Sequence, residues 1–340
     1  MDSPDDLAER VVQGERRALA RALTLVESTR ADHRVEAERL VDLLLPRSGQ
    51  ATRIGITGPP GAGKSTFIER FGLDGVAHGR GIAVLAVDPA SKRGGGAILG
   101  DKTRMAELGR SPHAFIRPSP GGERAGGVAR RSREAILVCE AAGFDTVLVE
   151  TIGVGQTETA VAEMVDLFML VLPPAAGDEL QGIKRGIVEL ADMILVNKAD
   201  GPLAEPARRT MTEYASAVRL IRPAIPGWQT PVRAVSALEG TGVAELWDDV
   251  ARFRALLEAS GAWSRRRADQ ARAALWAEIG AALEERFRAA PAIAGRLETV
   301  EREVANGART PAAAARALFE EFFAGPAVSP GKGPPCAPSR

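Results

Sequence analysis

Cysteine, histidine and tyrosine are nearly missing from this chain. Its 340 residues include two cysteines, three histidines and one tyrosine, and aromatic residues make up 4% of the whole. Two cysteines, Cys139 inside a helical pattern and Cys336 near the end, exclude a disulfide framework and a cysteine-rich metal centre, which suits a reducing compartment. His33, His78 and His113 are scattered, so a histidine-built metal site is not expected. Excess charge of either sign is also lacking. Lys+Arg and Asp+Glu each number 44, the formal net charge is zero, and no global field draws the chain to nucleic acid or an anionic membrane. No apolar run approaches the ~20 residues of a membrane-spanning helix, and the acidic start (Asp2, Asp5, Asp6) is followed by no leader-like apolar stretch. The expectation is a cytoplasmic protein without nucleic-acid or membrane partners.

What is present is an ordinary soluble composition, 45% hydrophobic and 26% charged, enough for one large α/β domain with helical additions. Residues 1–50 carry helical spacings (Leu19, Leu23, Val26, then Leu40, Leu43, Leu44) and end at Pro46, which predicts an N-terminal extension of two or three amphipathic helices. From Arg53 onward, short Val/Ile/Leu-rich runs alternate with helical ones. After the strand that begins at Arg53 they fall at Gly81–Val87, Ala114–Arg117, Thr146–Val149, Leu167–Leu172, Met193–Val196 and Val232–Val235. Such unalternating apolar runs predict a mostly parallel sheet flanked by helices, in a domain spanning residues 51–259. Functional groups should then lie just past the carboxyl ends of the strands. Residues 260–324 predict a helical arm with apolar stripes at Trp276, Ile279, Leu283 and Phe287 and at Leu318, Phe319, Phe322 and Phe323. These stripes could pack on their own chain or on a second copy. The Gly/Pro-rich tail, 325–340, predicts disorder. Arg130, Arg131 and Arg133 read as a solvated helix face, and the four tryptophans, Trp228, Trp247, Trp263 and Trp276, as packing residues.

The most informative stretch runs from Arg53 to Thr66. An apolar strand leads into Gly58-Pro59-Pro60-Gly61-Ala62-Gly63-Lys64-Ser65-Thr66, the spacing of a phosphate-binding P-loop. Glycines at 58 and 63 let backbone N–H groups curl around an anion. Lys64 would reach the β- and γ-phosphates of a nucleotide, Ser65 would ligate Mg²⁺, and the following helix N-terminus favours negative charge. Asp88 follows the second strand at the place of a Mg²⁺ ligand or a ligand to one of its waters. Glu150 follows the fourth strand as a Walker-B acid, Gly153 could offer its N–H to a γ-phosphate, and Gln156 could orient an attacking water. After the sixth strand comes Asn197-Lys198-Ala199-Asp200, and after the seventh Ser236-Ala237-Leu238. The Asp200 carboxylate can accept from both N1–H and the exocyclic amine of guanine, a donor pair that adenine lacks, so GTP and GDP are the expected ligands.

The segments between these landmarks narrow the reading. Asp88 to Met105 is a glycine-rich loop ending near Asp101 that suits a nucleotide-dependent switch. Together with Arg117-Pro-Ser-Pro-Gly-Gly, Gly126-Gly-Val-Ala, Glu150-Thr-Ile-Gly-Val-Gly-Gln156 and Gly177-Asp-Glu-Leu-Gln-Gly-Ile-Lys184, the run from about Ala18 to Leu246 resembles the MeaB/ArgK family. These are P-loop GTPases of the SIMIBI class that serve adenosylcobalamin-dependent acyl-CoA mutases such as methylmalonyl-CoA mutase. The resemblance implies that Lys64, Asp101, Glu150, Gln156 and Lys184 take part in hydrolysis, and that Ser65, Asp88, Asp101 and Glu150 organise Mg²⁺. It implies that Asp178, Glu179, Gln181 and Lys184 form a further switch answering to the mutase, and that 260–324 is a homodimerisation arm. The implied task is to gate cofactor loading, protect the mutase and promote removal of damaged cofactor. The chain departs from the family's hydroxyl-bearing pattern at Ala90, Gly94 and Ala97. Two alternatives stand beside this reading. One is a P-loop kinase or ATPase acting on a transport-binding protein, as the ArgK name suggests. The other is a signal-recognition-type targeting GTPase, which the chain's six methionines do not favour.

Overall fold

A computed structural model describes residues 3–87, 105–118, 125–151, 157–174 and 185–324. Its centre is a sheet of seven strands: β1 (Thr52–Thr57), β2 (Ile82–Val87), β3 (Ala114–Arg117), β4 (Thr146–Thr151), β5 (Leu167–Leu172), β6 (Met193–Val196) and β7 (Val232–Ala234). They are ordered β3-β2-β4-β1-β5-β6-β7, and every pairing is parallel. Consecutive strand residues are buried because both faces are covered. Val147 and Val149 of β4 enter one core while Leu148 between them enters the other.

The first core lies under α1 (Pro4–Val12), α2 (Arg16–Val26), α3 (Ala31–Leu44), α6 (Ala125–Ala141) and α7 (Thr157–Ala162). The second lies under α4 (Lys64–Ala77), α5 (Ala106–Arg110) and α10 (Glu245–Ala259). A smaller cluster joins β5 and β6 to α8 (Arg185–Leu190) and α9 (Ala204–Val218). Helix α1 shows how local chemistry starts an element: Ser3 caps it by accepting from the Asp6 amide, Pro4 pre-sets the first turn, and Asp5 and Asp6 face the positive end of the helix dipole. The basic cluster on α6 departs from the solvated face expected of it. Arg130 pairs with Glu134 and with Glu38 of α3, and Arg131 donates to the Glu27 carbonyl, so these side chains moor the N-terminal helices. Cys139 is fully buried, and burial pushes its thiol up, leaving it inert.

The amino ends of the strands carry a buried ionic layer. Arg53 of β1 pairs with Glu140, and Arg267, on the first turns of α11 (Ala262–Ala289), pairs with Asp166 at 2.7 Å. Arg267 also donates to the carbonyls of Gly49 and Ala51 at the entry to β1, and Gln270 donates to the Val165 carbonyl. Trp263 receives the guanidinium groups of Arg254 and Arg267 over its ring at 5.0 and 4.7 Å. Trp247 stacks on Phe71, and Trp228 meets Phe253 edge-on.

The chain divides into two compact units between Arg272 and Ala273. The second unit comprises the later part of α11, α12 (Pro291–Ala294), α13 (Leu297–Ala305) and α14 (Pro311–Ala324). Its own small core gathers Ile293, Val300, Ala314 and Leu318, with Phe287 and Phe322 against it. Trp276, counted among the packing residues, is instead 71% exposed, and Leu283 and Phe323 are 62% and 78% exposed. The tail 325–340 lies outside the described residues.

Removing one partner of a buried ion pair strands the other charge. With the Asp166 side chain 2% exposed, Arg267→Ala should cost about 3 kcal/mol, read as a lower urea midpoint at unchanged slope.

Candidate active site

Every described candidate residue lies at the carboxyl edge of the sheet. β1 ends at Thr57, and residues 58–63 turn into α4. Two glycines are obligatory in that turn. At Gly58 (φ 151°) a Cβ would stand 1.9 Å from the Val171 carbonyl oxygen, and at Gly63 (φ 83°) 2.6 Å from Asn197 Nδ2. Gly63 also caps α4 without a side chain, so the first-turn N–H groups of Lys64 to Thr66 are left for an anion.

Lys64 is buried, and its Nζ donates to the carbonyls of Gly58 at 2.7 Å and Pro59 at 3.2 Å. Burial pushes its ammonium down from the ordinary lysine value, while the carboxylates of Glu150 and Glu158 oppose that shift. Ser65 donates its hydroxyl to Glu150 Oε1 at 3.1 Å. Glu150 lies within β4, in register with Ile56 of β1 and Ala86 of β2, and is 4% exposed. Beneath it the wholly buried hydroxyls of Thr151 and Thr57 bond at 2.8 Å and tie β4 to β1. Glu158, on α7 and 1% exposed, belongs to no motif read from the sequence. Its one available signal is an acid two residues past Gln156 in an otherwise uncharged stretch of sequence.

The other end of the site is built by a single amide. Asn197 is 1% exposed; its Nδ2 donates to the Ala62 carbonyl at 2.9 Å, and its Oδ1 accepts from the Ala237 amide at 3.0 Å. The P-loop and the 236–238 segment are therefore joined through one side chain. Lys198 takes the left-handed conformation (φ 60°), which keeps its stem beside Gly63. The half-buried Asp200 accepts a short hydrogen bond from the Ser236 hydroxyl, whose oxygen also accepts from the Glu239 amide at 3.0 Å. The turn closes with Gly240 N–H to Ser236 O at 2.8 Å and Ser236 N–H to Thr241 O at 2.9 Å. Leu238 is 77% exposed, and Pro60, Gly61 and Thr66 of the P-loop are exposed as well.

Asp88, Asp101, Gly153, Gln156, Asp178, Glu179, Gln181 and Lys184 lie outside the described residues, as do Ala90, Gly94 and Ala97. Among the described residues, no cluster of three or more His, Cys, Asp or Glu side chains could hold a metal ion by itself. The Ser65 hydroxyl and Glu150 carboxylate are hard oxygen donors converging on the P-loop, a set that fits Mg²⁺ shared with phosphate oxygens.

This arrangement matches a known group. The family described as methylmalonyl Co-A mutase-associated GTPase MeaB matches residues 19–292. The chain belongs to the MeaB family of GTPases. A Caulobacter vibrioides protein named as a GTPase is 53% identical over 318 residues, covering 94% of this chain and 97% of its own. The mitochondrial methylmalonic aciduria type A homolog of Mus musculus is 46% identical over 328 residues, 94% of this chain and 79% of its own. The crystal structure of a LAO/AO transport system kinase superposes with a TM-score of 0.76 at 36% identity, covering 94% of this chain and 98% of that one. As a member of this family the chain hydrolyses GTP, and its parallel sheet and P-loop are those of a P-loop GTPase.

Gly63→Ala tests the turn that this GTPase depends on. Its Cβ would displace the Asn197 amide, so GDP affinity measured by calorimetry should fall about tenfold or more with circular dichroism unchanged.

Proposed function

We propose that this GTPase is a chaperone of an adenosylcobalamin-dependent acyl-CoA mutase, methylmalonyl-CoA mutase or a close relative, gating cofactor loading and promoting removal of damaged cofactor. The family description names association with that mutase, and the mouse relative is named for methylmalonic aciduria. The structural observation that carries the nucleotide part is the Asn197 amide, which locks the phosphate loop to the segment beside Asp200.

The site divides the work between a built end and a waiting end. At the built end, Asp200 would accept the guanine N1–H and amine, with Ser236 holding its carboxylate and Ala237 and Leu238 flanking the base. At the waiting end, Lys64 would exchange the Gly58 and Pro59 carbonyls for phosphate oxygens, a swap favoured because the buried ammonium gains a full negative charge. Ser65 and Glu150 would hold Mg²⁺, with Asp88 and Asp101 contributing ligands or water contacts. The ion, when bound, neutralises charge building on the β- and γ-phosphates. Gly153 would sense the γ-phosphate and Gln156 would orient the attacking water. Asp178, Glu179, Gln181 and Lys184 would form the segment through which the mutase acts. We take the protein as cytoplasmic and as a homodimer joined by its C-terminal arm; the exposure of Trp276, Leu283 and Phe323 supports that arm as an apolar contact face.

Purified mutase should accelerate GTP hydrolysis about tenfold or more. No acceleration once complex formation is verified by gel filtration would count against the chaperone reading. A kinase reading has behind it the solved relative described as a LAO/AO transport system kinase; transfer of γ-³²P from GTP or ATP to a transport-binding protein would favour it. For base selection, Asp200→Asn should weaken GTP binding about 100-fold while leaving ATP binding as weak as before, since the amide offers a donor where guanine also donates.

A further inference from the structure

Glu158 is a buried acid to which the nucleotide chemistry described so far gives no task. It stands in the first turn of α7 and is 1% exposed. The packing of α7 fixes where its carboxylate lies. β4 and β5 both run parallel to β1, so the helix between them starts at the carboxyl edge of the sheet and runs back toward the amino edge. At Gly55 of β1 a Cβ would stand 3.0 Å from Val161 Cγ1, so α7 lies directly against the strand that leads into the P-loop. Glu158 precedes Val161 by one turn on the same side of the helix, which sets it about 4.5 Å nearer the carboxyl edge. That is the level of Thr57, the last residue of β1 before the P-loop. The buried Lys64 ammonium feels its charge there, together with that of Glu150.

The two acids differ in what a nucleotide brings them. The Ser65 hydroxyl is given to Glu150 Oε1, and this pair is the oxygen set that fits Mg²⁺, so an arriving ion offsets the charge of Glu150. Glu158, on a separate element and without a bond from Ser65, stands outside that set. Its negative charge stays in place when phosphates reach Lys64, in a setting too dry for water and salt to screen it well. Phosphates must then share the lysine with a fixed carboxylate, and an anion that shares its cation is held less tightly than one that has the cation to itself.

We propose that Glu158 is a built-in counter-charge of the P-loop, which holds the Lys64 ammonium in the nucleotide-free protein, lowers affinity for bound phosphates and speeds the release of GDP. The contrast with Glu150 rests on the Mg²⁺ role proposed for that residue above, and the experiment separates the two.

Full-length protein is titrated with GDP by calorimetry, and release of a fluorescent GDP analogue is timed by stopped flow, each with Mg²⁺ and with EDTA. Glu158→Gln and Glu158→Met remove the charge at similar volume. Once shown to be folded by circular dichroism, each should bind GDP about threefold to tenfold more tightly than wild type, with release slowed by a similar factor, in both buffers. Glu158→Asp keeps the charge and should stay within about twofold of wild type. A residue that merely props α7 would weaken binding when replaced. Unchanged or weaker binding in the folded neutral variants therefore overturns the proposal, as does failure of both to fold, or a Glu158→Asp variant that binds as tightly as Glu158→Gln. Glu150→Gln should weaken GDP binding in Mg²⁺ and not in EDTA; wild-type affinity of that variant in Mg²⁺ overturns the metal role of Glu150 and leaves the counter-charge standing.

Discussion

One buried carboxamide holds the functional end of this molecule together. Asn197 donates to the P-loop and accepts from the loop after β7, so three separate segments take their relative positions from a side chain with 1% exposure. In so dry a setting each unmade bond would cost the full desolvation of a polar group, which makes the arrangement nearly all-or-none. Gly63 has to be glycine for the same reason, because the amide occupies the space a Cβ would take. A pocket assembled in this way has its Asn197 end ordered before any ligand arrives, which leaves binding energy for the P-loop end.

Charge is buried at both ends of the sheet, with different consequences. At the carboxyl edge Lys64, Glu150 and Glu158 share a site in which the lysine's partners among the described residues are backbone carbonyls, an arrangement that a phosphate can improve. At the amino edge, Arg53, Glu140, Asp166 and Arg267 satisfy one another and the adjacent carbonyls, leaving nothing for a ligand to gain. The first is poised for exchange, and the second is a fixed joint clamping the start of α11 to the entry of β1. A strand whose base is clamped can hold its carboxyl end, and hence the P-loop, in place against the movements that a switching protein needs elsewhere.

Coupling to a partner requires that the two nucleotide states differ in what they present.

Much of this was legible in the amino-acid sequence. β3, β5 and β6 fall where unbroken apolar runs put them, and the P-loop and Asn-Lys-x-Asp residues were recognisable because backbone geometry and base chemistry demand particular residue types at fixed short spacings. β4 runs two residues past its apolar stretch to include Glu150 and Thr151, since β1 and β2 pair with it on both sides. Helix α4 runs through Gly72 and Gly75, where the missing side chains admit Leu108 and Trp247. The Arg267 clamp, the Glu27–Arg117 pair and the placement of Glu158 near Lys64 left no periodic trace. Each joins residues far apart along the chain, or neighbours whose meeting depends on how a helix docks, and only the packed sheet brings them within reach. Local spacing thus determined which ligand chemistry the chain can offer, while the tertiary structure decided which charges are buried and which of them are paired, because those meetings depend on packing between distant segments.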